Sequence, residues 1–100
     1  MTQDQQYQSL FQKEEECLCW IQDVLQQDGF EDQVVRWNSS ILCRKEDVWC
    51  RVRSTKNDAR FLSPNQTPTL EIAITFWRGN EHDRNNIQGN FTRHILTLEP

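Results

Sequence analysis

The apolar and polar positions of this 100-residue chain follow one period before residue 28 and a different period after it. In the first part, apolar residues recur at steps of three and four, which is the spacing of one helical face. This pattern predicts an amphipathic helix over Asp4–Gln27, with Thr2 or Asp4 as its N-cap and Asp28-Gly29 as its end. The predicted apolar stripe consists of Tyr7, Leu10, Phe11, Cys17, Leu18, Ile21, Val24 and Leu25.

The later part alternates at period two, which is typical of β-strands with one covered face. The clearest strand is Leu70–Trp77, because it is rich in β-branched and aromatic residues and is bounded by Pro68 and Gly79. We expect its apolar face to contact the helix; that face carries Leu70, Ile72, Ile74 and Phe76. The predicted strands are Gln33–Trp37, Ile41–Arg44, Val48–Arg53, Leu70–Trp77 and Phe91–Leu98.

The order of these elements predicts the α+β class, with one long N-terminal helix packed on one face of a four- to five-stranded antiparallel sheet. Ile41–Arg44 and Val48–Arg53 should form a hairpin around Lys45-Glu46-Asp47. Phe91–Leu98 should pair antiparallel with Leu70–Trp77. Residues 54–69 and 79–90 are polar and rich in turn residues, which predicts two connections. No repeat or linker divides the chain, so residues 1–100 are expected to form a single α+β domain.

Composition favours a folded protein. The apolar fraction is 36%, and four Trp and five Phe supply large surfaces that a disordered chain rarely carries. The net charge of −4 argues against a general nucleic-acid binder, because binding by counterion release needs a positive surface. The charge is unevenly distributed, however: residues 1–50 carry ten acidic against four basic residues, and residues 51–100 carry five against seven.

The expected location is the cytoplasm. No charged segment followed by an apolar run opens the chain, and no apolar stretch approaches the length of a membrane span. We therefore expect no membrane contact. In the cytoplasm, the four cysteines are expected to be free thiols rather than disulfides.

The cysteines are the first candidates for a metal site. Cys17 and Cys19 diverge on a helix, while Cys43 and Cys50 flank the predicted hairpin and could supply two thiolates. Structural zinc sites repeat closely spaced cysteine pairs, so buried or half-buried free thiols are favoured here and no cofactor is expected. Cys50 beside Arg51 is the nearest approach to a reactive thiol.

No catalytic set is readable in the sequence. His82, Asp83 and His94 show no spacing that supports a triad with a cysteine or serine. Glu14-Glu15-Glu16 is expected to be a solvated helix face, and the glycines are too isolated for a phosphate loop. We therefore expect no enzymatic activity.

The outer face of the predicted sheet is the candidate functional surface. Alternation places Trp49, Arg51 and Arg53 together on what should be the solvent side, and Trp77-Arg78 ends the central strand. These five residues are the predicted partner contacts, and Arg93 and Arg36 could join them. Trp and Arg are enriched both at protein interfaces and where single-stranded nucleic acid is bound. The simpler alternative is that they pair with Glu46, Glu71 and Glu99, with arginines over tryptophan rings.

The sequence thus favours a small non-enzymatic binding or regulatory protein, of adaptor or inhibitor type, that engages a protein partner through this face. The first alternative is a single-stranded nucleic-acid-binding module that uses the same residues. The second is a cysteine-based redox protein or enzyme built on Cys17, Cys43 or Cys50. Exposed sheet edges also make a homodimer an open alternative.

One family resemblance is readable. Gln33-Val34-Val35 shortly after the helix and Phe76-Trp77 near a turn resemble the arrangement of the cystatins. Arg36-Trp37 replaces the glycine expected after the valines, and Phe76 stands where a proline is expected before the tryptophan. No inhibitory function is carried over from this resemblance.

Overall fold

The computed structural model describes residues 2–30, 32–37, 40–56, 63, 65–79 and 91–100, and it describes residues 32–37 by their backbone alone. Within these described ranges, one helix, α1 (Gln3–Gln27), precedes five strands. The strands are β1 (Asp32–Trp37), β2 (Ser40–Lys45), β3 (Val48–Lys56), β4 (Leu70–Arg78) and β5 (Phe91–Leu98).

The strands form one antiparallel sheet in the order β1-β2-β3-β4-β5, so each strand pairs with its neighbours in the sequence. This arrangement confirms the predicted α+β class and the pairing of Phe91–Leu98 with Leu70–Trp77. Two details differ from expectation. The β2–β3 turn has two residues, because Lys45 pairs with Val48, and β3 continues to Lys56 into the segment predicted as a connection. The predicted connection residues Phe61-Leu62 lie outside the described residues.

The ends of α1 follow from local chemistry. Thr2 Oγ1 accepts a hydrogen bond from the Gln5 amide, and the Gln5 side chain accepts one from the Thr2 amide, which together make a capping box. At the other end Asp28 is the C-cap and Gly29 has φ of +98°. An L side chain is strained at that φ, so glycine suits this exit from the helix. A Cβ at Gly29 would also lie 3.3 Å from Lys45 Cε.

The core lies between α1 and the sheet. Leu10, Leu18, Ile21 and Leu25 are the buried residues of α1. The sheet supplies Ile41, Cys43, Cys50, Val52, Leu70 and Ile72 to the same cluster, and Phe30 joins it after the helix. The predicted inner face of β4 is confirmed, since Leu70 and Ile72 are fully buried and Ile74 and Phe76 pack against the cluster. Burying such side chains typically contributes about 1.5–3 kcal/mol each.

Two members of the predicted apolar stripe are exposed. Phe11 is 55% exposed and Val24 is 43% exposed, and Trp20 on the same helix is 65% exposed. At 100° per residue, Phe11 and Val24 lie at opposite flanks of the face centred near Ile21. The stripe is therefore narrower than the sequence pattern predicts.

The helix also contacts the sheet through a polar cluster made by Glu14, Ser54 and Lys56. Glu14 Oε2 accepts hydrogen bonds from Ser54 Oγ at 2.7 Å and from Lys56 Nζ at 2.6 Å. Lys56 Nζ also lies 4.4 Å from the centroid of the Phe11 ring. The prediction that Glu14 is solvated is wrong, because position 14 is one turn from both Leu10 and Leu18 and faces the sheet with them.

Candidate protein-binding face

The outer face of the sheet is the side opposite α1. In β3, Cys50, Val52 and Ser54 are buried toward the helix, so Trp49, Arg51 and Arg53 share the outer face. The pairing of β3 with its two neighbouring strands shows which residues of those strands lie on the same face. Trp49 lies opposite both Arg44 of β2 and Trp77 of β4.

Four arginines with described side chains occupy this face, and we name Arg44, Arg51, Arg53 and Arg93 the arginine face. Thr75 lies between Arg51 and Arg93, because it pairs with both. Arg53 and Arg93 are exposed, whereas Arg44 and Arg51 are half-buried. The sequence does not predict the place of Arg44 on this face. With Lys45 assigned to the turn, the pairing of Arg44 with Trp49 could not be derived.

The two tryptophans form the base of this surface. Their ring centroids are 6.2 Å apart with an interplanar angle of 10°, which is a stacked arrangement. The guanidinium carbon of Arg44 lies 5.4 Å from the Trp49 ring centroid, and Trp49 Nε1 donates a hydrogen bond to the Gly79 carbonyl at 3.0 Å. The predicted arginine over a tryptophan ring is therefore present, although Arg44 supplies it.

The expectation that these tryptophans face solvent is wrong. Trp49 is 5% exposed and Trp77 is 1% exposed. Stacking across β3 and β4 shields the facing ring surfaces, and Arg44 lies over Trp49. The tryptophans consequently hold the face together rather than project from it.

Arg78 does not lie with the other predicted contact residues. It pairs in register with Val48, which packs toward the core, so strand alternation places Arg78 on the helix side of the sheet. Its Nη1 lies 3.2 Å from Asp47 Oδ1, and both side chains are largely exposed. An exposed ion pair of this kind contributes about 0–1 kcal/mol. Arg36 belongs to β1, whose side chains are outside the described part of the chain.

The two layers of the fold carry opposite charge. Among the outer-face positions whose side chains are described, Glu71 is the one acidic residue beside the four arginines. The sequence of α1 contains five acidic residues and Lys13 as its basic residue. The arginine face is thus a positive surface on a chain whose net charge is −4.

The cysteines are free thiols in three different settings. Cys43 and Cys50 lie directly opposite each other in β2 and β3, both fully buried, and the Cys43 thiol donates to the Cys50 carbonyl at 3.8 Å. The hydrogen bond with Cys43, and then burial, raise the pKa of the Cys50 thiol. Burial also raises the pKa of Cys17. Cys50 therefore lacks the accessible, basic setting of a reactive thiol, and Cys19 is the exposed cysteine.

The remaining polar candidates do not assemble into a catalytic or metal site in the described part of the chain. His94 is exposed on β5, and its ring makes an edge contact with Phe76 at 6.4 Å between centroids. His82 and Asp83 lie outside the described residues. No group of three His, Cys, Asp or Glu side chains suited to a metal ion occurs within the described ranges.

An open pocket of about 430 Å³ lies at the C-terminal end of α1. Val24, Leu25 and Phe30 line it together with Phe76 of the inner face of β4. The pocket is on the helix side of the sheet and is therefore separate from the arginine face.

No family model matches this chain, and no curated protein and no solved structure matches it either. The resemblance to the cystatins thus gains no support from the comparisons. Within the described residues, no helix is long and apolar enough to cross a membrane.

Proposed function

We propose that this chain is a small non-enzymatic binding or regulatory protein, of adaptor or inhibitor type, whose arginine face engages an acidic surface on a protein partner. One observation carries the proposal: four arginines share one sheet face with a single described acidic residue, in a chain that is acidic overall. A cytoplasmic site of action belongs to the same proposal.

The exposed arginines are the proposed direct contacts. Arg53 and Arg93 are both exposed on outer-face positions, which leaves their guanidinium groups accessible. A guanidinium binds a carboxylate through two parallel hydrogen bonds, so it favours acidic partners in a defined geometry. The stacked Trp49 and Trp77 support this surface by fixing β3 against β4. Arg51 is half-buried on the same face, between the tryptophans and Arg53.

The burial of the tryptophans favours a protein partner over single-stranded nucleic acid. Binding of single strands depends on aromatic faces on which bases can stack. Trp49 and Trp77 are almost fully buried, and Phe91, at 38% exposed, is the most accessible described aromatic ring on this face. Among the side chains that the structure describes, this surface therefore offers charge without a stacking platform.

The test is a charge-reversal experiment with a matched control. The double variant Arg53→Glu with Arg93→Glu inverts two exposed charges on the outer face without touching the buried tryptophans. Arg78→Glu is the matched control, because Arg78 is exposed on the other side of the sheet. Each protein would be immobilised, incubated with lysate of the native host, and the captured proteins identified by mass spectrometry.

We expect wild type and the Arg78→Glu control to capture the same acidic protein and the double variant to lose it, while all three keep the same circular-dichroism spectrum. Equal capture by the double variant would remove the arginine face from the proposal. Salt-sensitive binding of a fluorescent single-stranded oligonucleotide, lost in the double variant, would instead support the nucleic-acid alternative. Light scattering at several concentrations would detect the homodimer that the sheet edges permit.

A further inference from the structure

Strand β5 forms one edge of the sheet. It pairs with β4 on one side, and none of the other described strands pairs with it on the other. Every residue of β5 except Leu98 is exposed, although the strand has eight residues and a regular register. A long regular edge of this kind can accept a further strand through its main-chain N–H and C=O groups.

The side chains of β5 define what that strand should contain. On the outer face, Arg93 is flanked by Phe91 and Ile95, which are 38% and 57% exposed. On the inner face, Leu96 is 46% exposed beside His94. A strand added next to β5 would place its alternate side chains against these two sets. The outer set favours an acidic side chain at the centre and apolar side chains on both sides.

We propose that β5 pairs with an extended segment of the protein partner that carries a carboxylate opposite Arg93 and apolar residues opposite Phe91 and Ile95. This inference rests on the proposed function, because the same positive surface attracts the partner. The partner would then be recognised by addition of a strand at the edge of β5 that none of the other described strands occupies. The carboxylate neutralises Arg93, and the apolar positions cover Ile95 and Phe91.

A second copy of this chain fits the edge less well than an acidic segment does. The β5 strand of a second copy would bring Arg93 and no acidic residue of its own. Pairing two copies edge to edge would also place two arginine faces side by side, which repel each other. Charge complementarity therefore selects the acidic segment.

The test uses end-capped eight-residue peptides that alternate valine and threonine, with one central valine replaced by glutamate. The matched control carries lysine in place of that glutamate. A second control keeps the glutamate but has N-methyl groups on alternate amides, which removes the donors needed for strand pairing. Each peptide is titrated into isotopically labelled full-length protein, and amide shifts and hydrogen exchange are followed by NMR.

We expect the glutamate peptide to shift and protect the amides of β5 and to bind about tenfold more tightly than the lysine peptide. N-methylation should abolish this binding. Arg93→Glu should reverse the preference, so that the lysine peptide binds better. That reversal is a readout that simple loss of fold would not produce.

Three results would overturn the proposal. Equal binding of the N-methylated peptide would mean that charge, and not strand addition, is recognised. Concentration-dependent protection of β5 amides without peptide, together with a dimer by light scattering, would mean that a second copy occupies the edge. Absence of peptide binding, combined with partner capture that depends on Arg53 and Arg93, would remove strand addition and leave the proposed function standing.

Discussion

The polar cluster of Glu14, Ser54 and Lys56 offers the sharpest test of how α1 is held on the sheet. We consider the substitution Glu14→Gln, which keeps the size of the side chain and its hydrogen bond from Ser54 but removes the charge. Lys56 would keep its contact with the Phe11 ring, at 4.4 Å, and lose its carboxylate partner at 2.6 Å. Lys56 of β3 would then keep a shielded ammonium group whose carboxylate partner on the helix is gone.

The expected loss of stability depends on how strongly the ion pair of Glu14 and Lys56 is shielded from water. The side chains of Lys56 and Glu14 are 19% and 13% exposed. Breaking a fully buried pair costs about 3–5 kcal/mol, while an exposed pair contributes about 0–1 kcal/mol. This pair is largely but not fully buried, so we expect Glu14→Gln to lower the free energy of unfolding by about 2 kcal/mol.

Glu16→Gln is the matched control. It removes the same charge from the exposed side of the helix, where Glu16 accepts a hydrogen bond from Gln12 at 3.2 Å. We expect its effect to stay within about 0.5 kcal/mol, as for most surface substitutions. The comparison therefore separates the cluster from any general effect of charge on helix stability.

The assay is urea denaturation followed by far-UV circular dichroism, as a double-mutant cycle of Glu14→Gln and Lys56→Met. The coupling energy isolates the ion pair, because each single variant removes the same interaction. We expect coupling of at least about 1 kcal/mol with only weak dependence on salt, since shielded pairs are little screened. Coupling below about 0.5 kcal/mol, or a Glu16→Gln effect as large as that of Glu14→Gln, would refute the reasoning.

Three further predictions concern single residues. Trp77→Ala should lower the free energy of unfolding by about 3–5 kcal/mol by thermal or urea denaturation, because the ring is 1% exposed and stacks on its neighbour; an effect near zero would contradict its structural role. Gly29→Ala should cost about 1–2 kcal/mol because of its φ of +98°, whereas Gly29→Asn should cost less. Burial raises the pKa of Cys17, so its thiol stays protonated in the folded chain at a pH where the unfolded chain ionises; stability should therefore fall as the pH rises past 9.0, and Cys17→Ala should flatten this fall in urea titrations across that range.

The periodicity of the sequence was sufficient to predict the elements of this fold. The step of three and four before Asp28 and the alternation in Leu70–Trp77 each reflect burial of one face, and the structure buries those faces. Glu14 was misplaced because a charged residue inside an apolar face was assigned by its chemistry rather than by its position. The position of its partner Lys56 on β3 could not be predicted either, because the end of β3 lies in a polar segment that the sequence indicates to be a connection.

The candidate site was less predictable because it depends on register. Alternation alone placed Trp49 and Arg51 on the outer face, and that placement is confirmed. Trp49 is buried with Trp77 stacked directly opposite it, and the two strands are separated by a long connection whose length does not set the register. Arg44 was missed for a related reason: the turn contains two residues, with Glu46 at φ of 55°, and one residue more would have moved Arg44 away from Trp49.

Among the described residues, the acidic helix and the arginine face give the molecule an asymmetric distribution of charge across the sheet. A net charge of −4 would lead one to expect repulsion from an acidic partner at long range. For the proposed acidic partner, this asymmetry would orient the molecule during its approach, with the sheet facing the partner, over distances comparable to the Debye length of about 8 Å at physiological salt. Orientation before contact, rather than attraction by net charge, would then raise the rate of productive encounters.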